Sequence, residues 1–240
     1  GTKTVTINGT FRTADPQGLS GAANTAINST NTPTITLGPN STIEYNATVA
    51  QVITDRNYSN LVISSTGAKT WTLTGTRTIA GDLTIAANTP FSFAGAQTVN
   101  IQGDWIKNST GAFSAGATTL NFNGTSLQTI GGTQPTVFNN ITFNNPAGFT
   151  LASNNSEING AAVFTSGVVT ADPATNVLIF NDGATPSLTP APAATDSYVN
   201  GPVRKVGNEA FVFPIGAENG FVPLAITAPD AATDAFTAQY

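Results

Sequence analysis

The chain has 240 residues, enough for one sizeable core, yet only 9% are charged while 40% are hydrophobic. Thirteen acids and eight bases leave a net charge of -5, with no Lys/Arg run of the kind that phosphate neutralisation requires, so nucleic-acid binding and adhesion to an anionic membrane are not expected. Cys, His and Met are absent, which excludes disulfides, thiolate and imidazole metal sites, His-based triads and Cys nucleophiles.

The missing charge is replaced by Thr, Asn, Ser and Gly, a neutral polar surface. Lacking the two most oxidisable side chains, the chain suits a secreted, extracellular setting. Without Met, Gly1 reads as the start of a processed or excised segment. No apolar run approaches the roughly 20 residues of a membrane-spanning helix.

From the N-terminus onward, the pattern has period two. Thr4-Val5-Thr6-Ile7, Thr34-Ile35-Thr36-Leu37, Thr70-Trp71-Thr72-Leu73-Thr74 and Asp82-Leu83-Thr84-Ile85 alternate as half-buried strands do. Gly, Asn and Pro pairs such as Asn8-Gly9, Asn123-Gly124 and Asn145-Pro146 break them. No helical stripe appears, so an all-β chain is predicted.

An internal repeat organises residues 43–184. Ile43-Glu44-Tyr45-Asn46-Ala47-Thr48 lies over Leu120-Asn121-Phe122-Asn123-Gly124-Thr125, and Gln51 and Ile53 fall on Gln128 and Ile130. Leu61 then matches Ile141, and Ile79-Ala80-Gly81 matches Ile158-Asn159-Gly160. A shorter spacing sits inside it: Leu61, Leu83 and Trp105 follow one another at 22 residues, as do Ile141 and Val163. Strands recurring at 20–22 residues predict the coils of a right-handed parallel β-helix, a β-solenoid over residues 1–184. Its repeat of about 79 residues (43–119 and 120–184) reads as roughly four coils, within a rod of about nine. A β-sandwich is the competing architecture.

Residues 185–196 are Pro-rich and read as a linker. Residues 197–240 read as a small β-module, with strands near Phe211-Val212-Phe213, Phe221 to Ile226 and Phe236 to Tyr240; the last appears truncated. Both ends of the chain look uncapped. Such ends predict head-to-tail contacts with other copies or neighbouring domains through strand addition.

The Tyr-Asn-Ala-Thr and Phe-Asn-Gly-Thr elements, the Gln-x-Ile that follows them, and the Gly-Asp-Leu-Thr-Ile strand resemble large secreted repeat proteins of Bacteroidota. Residues 197–216, Ser-Tyr-Val-Asn-Gly-Pro-Val-Arg-Lys and then Phe-Val-Phe-Pro-Ile-Gly, resemble the segment that follows such repeats. The resemblance implies type IX secretion, a cell-surface location and a structural or adhesive role in a surface protein or fibre. It names no ligand.

Candidate chemistry is sparse. Asp82 and Asp104, 22 residues apart, could stack on adjacent coils as a Ca²⁺ pair or as acid and nucleophile; the alternative is that each caps a strand start. Thr70, Thr72, Thr74, Thr76 and Thr78 invite comparison with an ice-binding Thr array, although their high β-propensity explains them equally. Trp71 and Trp105 are either sugar platforms or core. Asn-x-Ser/Thr at Asn8, Asn28, Asn40, Asn46, Asn57, Asn108, Asn123, Asn140 and Asn154 read as turn and ladder residues. The reading is a rigid non-catalytic rod with no catalytic, metal or cofactor site, possible partners being surface glycans. A carbohydrate-binding or polysaccharide-cleaving β-helix is the alternative, and an ice-binding solenoid a third.

Overall fold

The computed structural model describes residues 3–28, 32–188, 197–218 and 220–240. Among them the chain is all-β with no helix, and its stacked parallel strands form a β-solenoid of about seven turns, fewer than the nine expected. It divides into two compact units, Gly1–Thr118 and Thr119–Tyr240.

In the first unit each regular turn lays one strand on each of three ladders. The first ladder runs Thr10–Thr13, Thr42–Tyr45, Asn60–Ile63, Leu83–Ile85, Trp105–Lys107. The second runs Gln51–Ile53, Lys69–Thr72, Phe91–Ala94, Phe113–Ser114. The third joins Arg77–Ile79 to Thr98–Ile101. Thr4–Ile7 and Thr34–Leu37 form a separate parallel pair. The alternation read from the sequence produces this stacking. Ile43, Leu61, Leu83 and Trp105 are in register and fully buried, so each turn seals the apolar row of the one before.

The second unit repeats the plan. Thr119–Phe122, Asn140–Asn144, Ala161–Ser166 and Thr185–Leu188 make one ladder. Gln128–Gly131, Phe149–Leu151, Val169–Ala171 and Val199–Asn200 make another. Thr136–Phe138, Ser156–Ile158, Leu178–Phe180 and Val203–Val206 make the third. Phe122, Phe143 and Phe164 occupy one inward row, and the last two rings stack at 5.0 Å.

Four expectations need correction. Ile141 pairs with Ala162, at 21 residues, and Val163 faces outward beside Thr142; a one-residue difference in the turn flips the side chain. Counted in chain order, Leu120 stands three turns and two strands after Ile43, so the long repeat is not a whole number of turns. The expected linker begins with a strand, Thr185–Leu188, while residues 189–196 lie outside those described. The segment 197–206 continues the solenoid through Val199–Asn200 and Val203–Val206, so the antiparallel module starts only after it.

That module closes the last turn. Ala235–Ala238 returns antiparallel along Val203–Val206. The strand expected to stop unpaired therefore covers a ladder edge. Phe211–Phe213 pairs with Leu224–Ile226, and Phe211 packs on Phe180 at 5.2 Å. Phe211 and Phe213 are buried, and Lys205 stands over the Phe211 ring.

Candidate functional site

Asp82 and Asp104 were the one acid pair with a spacing suited to chemistry. Stacking does bring them to adjacent turns, and their hydrogen bonds state what they do. The Asp104 backbone N–H donates to Asp82 Oδ1 at 2.8 Å, and the Asp82 N–H donates to Asn60 Oδ1 at 3.0 Å. The Asn60 and Asp82 side chains thus each cap the strand start of the next turn. The Gly before each Asp is explained by the same contact. A Cβ on Gly103 would lie 2.4 Å from Asp82 Oδ1 and from the Gly81 carbonyl carbon; one on Gly81 would lie 2.2 Å from Asn60 Oδ1. The second unit repeats this at Asn140, whose Oδ1 accepts from Ala161 N–H beside Gly160. Asp82 Oδ1 is committed to the backbone rather than aimed at an open site. No group of three or more Asp and Glu residues suited to a metal gathers among the described residues.

Trp71 and Trp105 are wholly buried core residues, Trp71 within a row of aromatic contacts from Tyr58 to Phe93. The five Thr from 70 to 78 do not form an array. Thr70 sits in the second ladder between Val52 and Ser92, Thr74 donates to Asp55, and Thr78 belongs to the third ladder. The outward Thr column lies elsewhere. Thr129, Thr150 and Thr170 are successive partners on one ladder of the second unit, followed by Asn200. The signal was in the sequence: Gln128-Thr129-Ile130, Phe149-Thr150-Leu151 and Val169-Thr170-Ala171 each flank an outward Thr with buried residues.

The repeated Gln also acquires a role. Gln51 Oε1 accepts from Ala47 N–H, and Gln128 Oε1 accepts from Gly124 N–H. Gln51 Nε2 reaches down to the Thr13 and Asp15 carbonyls, while Asn145 Nδ2 donates to Gln128 Oε1 and the Ser126 carbonyl. Both Gln are buried corner staples that pair backbone groups left over where a strand ends.

Three of the eight basic residues are buried: Lys69, Lys107 and Lys205. All three occupy inward slots in their strands and turn their ammonium groups to corner carbonyls. Lys69 Nζ donates to Ala47 and Gly67, Lys107 Nζ to Ser109, and Lys205 Nζ to Asn181. Lys205 also pairs with Glu209 at 2.8 Å. Burial lowers the Lys69 amine to about 8 and lowers Lys107 in the same direction. A shallow cavity of about 180 Å³ opens beside Lys69, lined by Pro90, Phe91, Ser92, Phe113 and Ser114. Its walls are mostly apolar, and the Lys69 ammonium donates to the Ala47 and Gly67 backbone carbonyls instead.

On the surface of the first unit, Asp55 receives a bidentate pair from Arg77 Nε and Nη2, both at 2.6 Å, plus Thr74. Burial pushes the Asp55 carboxyl up, but these hydrogen bonds outweigh it and hold the group below its ordinary value. No family model matches the chain, and no curated protein or solved structure is significantly similar to it.

Proposed function

We propose that the chain is a rigid structural or adhesive segment of an extracellular bacterial surface protein or fibre, without catalysis, of the kind found in large secreted repeat proteins of Bacteroidota. One observation carries this reading. The side chains that chemistry would draw on, Asp82, Gln51, Gln128 and the three buried lysines, are engaged in holding one turn to the next or, as for Lys107, in tying a corner. Polar groups used this way make a stiff stack, since each joins adjacent turns or ties a corner. The column Thr129, Thr150, Thr170 supplies a lateral contact face in this reading, with methyl and hydroxyl groups suited to weak contacts with surface glycans.

Two measurements test it. Antibodies against the chain should label intact source cells; labelling only after permeabilisation would overturn the extracellular assignment. The purified chain, incubated with polysaccharides, should release no reducing or unsaturated sugar. Release that disappears when Asp82→Asn and Asp104→Asn are combined would establish the polysaccharide-cleaving alternative instead. In the structural reading Asp82→Asn keeps the accepting Oδ1 and leaves stability unchanged, whereas Asp82→Ala costs about 0.5–1.5 kcal/mol in urea denaturation.

A further inference from the structure

The chain treats its ladder edges unequally. In the second unit, the edge of Val203–Val206 is covered by Ala235–Ala238, and Val199 N–H donates to the Pro214 carbonyl. In the first unit, the edge of Gln51–Ile53 is covered by a loop: Val52 N–H donates to Pro16, and Leu19 N–H to Thr54 Oγ1. Two neighbouring strands have no such cover. Among the described residues Thr4–Ile7 pairs only with Thr34–Leu37, and Thr10–Thr13 only with Thr42–Tyr45. Two of their three apolar residues record the gap, while Ile7 is buried. Phe11 is half-buried while its partner Ile43 is fully buried, and Val5 is half-buried beside the buried Ile35.

The antiparallel module presents the complementary surface. Ala235–Ala238 is itself an edge strand, paired among the described residues only with Val203–Val206. Phe236 is 43% exposed and Tyr240 70% exposed, with Leu224 at 50% on the neighbouring pair of strands. Edge strands are ordinarily blunted by Lys or Pro, and residues 235–240 contain neither. Charge then selects the occupant. After Lys205 the chain has no Lys or Arg and four acids, Glu209, Glu218, Asp230 and Asp234. The first 14 residues carry Lys3 and Arg12 and no acid. Lys3 directly precedes the first open strand and Arg12, still highly exposed beside Glu44, lies on the second. Asp234 directly precedes the edge strand of the module, in a turn closed by its bonds to Ala231.

We infer that a second copy of this chain docks its Ala235–Ala238 edge, with Asp230 and Asp234, onto the open Thr10–Thr13 edge, beside Arg12 on that strand and Lys3 before the neighbouring Thr4–Ile7. The contact joins two different patches, so it can be repeated from copy to copy. Backbone pairing supplies affinity, and the opposite charges set partner choice and encounter rate. This inference deepens the structural reading but fails independently of it, because a monomeric rod remains a rod.

The test is sedimentation velocity on the full 240-residue chain at rising concentration, in low and high salt. The chain should self-associate, more weakly at high salt. Lys3→Glu with Arg12→Glu should weaken association by more than about tenfold, and so should Asp230→Lys with Asp234→Lys. Combining all four changes should restore association, which a merely unfolded variant would not do; far-UV circular dichroism checks each variant's sheet content. A wild-type chain that stays monomeric at all concentrations overturns the inference. So does association that survives either charge reversal, or a fourfold variant that remains monomeric although folded.

Discussion

At the scale of single residues, the molecule uses polar side chains as backbone fittings. Asn60, Asp82 and Asn140 each present an oxygen to the N–H of the turn above, and a Gly at 81, 103 and 160 makes the space. Lys69 is the extreme case, 1% exposed with two carbonyls as partners. Its folded-state value of about 8 lies below its ordinary 10.5. Between those values the unfolded chain holds a proton that the folded chain has released, so stability should rise with pH across that window, and Lys69 should add no pH dependence well below it. The rise should be on the order of 1–3 kcal/mol by pH 10. Burial raises Tyr45 and Tyr58, which works in the opposite direction above pH 10. Urea denaturation from pH 7.5 to 10 should show a smaller rise in Lys69→Met. Equal slopes in both proteins would show that Lys69 does not titrate in this range.

At the scale of strands and corners, register decides what each side chain becomes. The sequence spacing placed Leu61, Leu83 and Trp105 correctly, because inward residues exactly one turn apart repeat a local signal. It misplaced Val163, because the length of the intervening turn cannot be weighed until the strands are stacked; Ala162 takes the inward place instead. The matched Gln51 and Gln128 were visible as a repeat but not as staples, since their roles depend on N–H groups at the same corner and on carbonyls a turn away. Gln128→Ala leaves the buried Gly124 N–H without this acceptor and removes one from Asn145 Nδ2. The expected loss is about 1–3 kcal/mol, read as a lower denaturation midpoint. Gln128→Glu, which keeps the acceptor, should recover part of it at neutral pH, whereas equal losses in both variants would point to lost packing alone.

At the scale of the whole molecule, each turn leans mainly on its neighbours, so perturbations should spread only a turn or two. Phe211→Ala tests this. It removes a buried ring packed against Phe180 and Phe213 and lying under Lys205, a change worth about 3–5 kcal/mol. Amide exchange should accelerate in Leu178–Phe180 and Val203–Val206 while Leu83–Ile85 keeps its protection; uniform acceleration throughout would mean one cooperative unit. The all-β class and the parallel stacking were determined by the sequence itself, because alternation and a turn-length period are properties of neighbouring residues and survive without knowledge of the partner strand. Tertiary structure alone decided the rest. The long repeat steps by a fractional number of turns because turn lengths vary. Three lysines enter the core because corner carbonyls await them. Residues 235–238 turn back to cover Val203–Val206 because an exposed ladder edge leaves backbone groups unpaired.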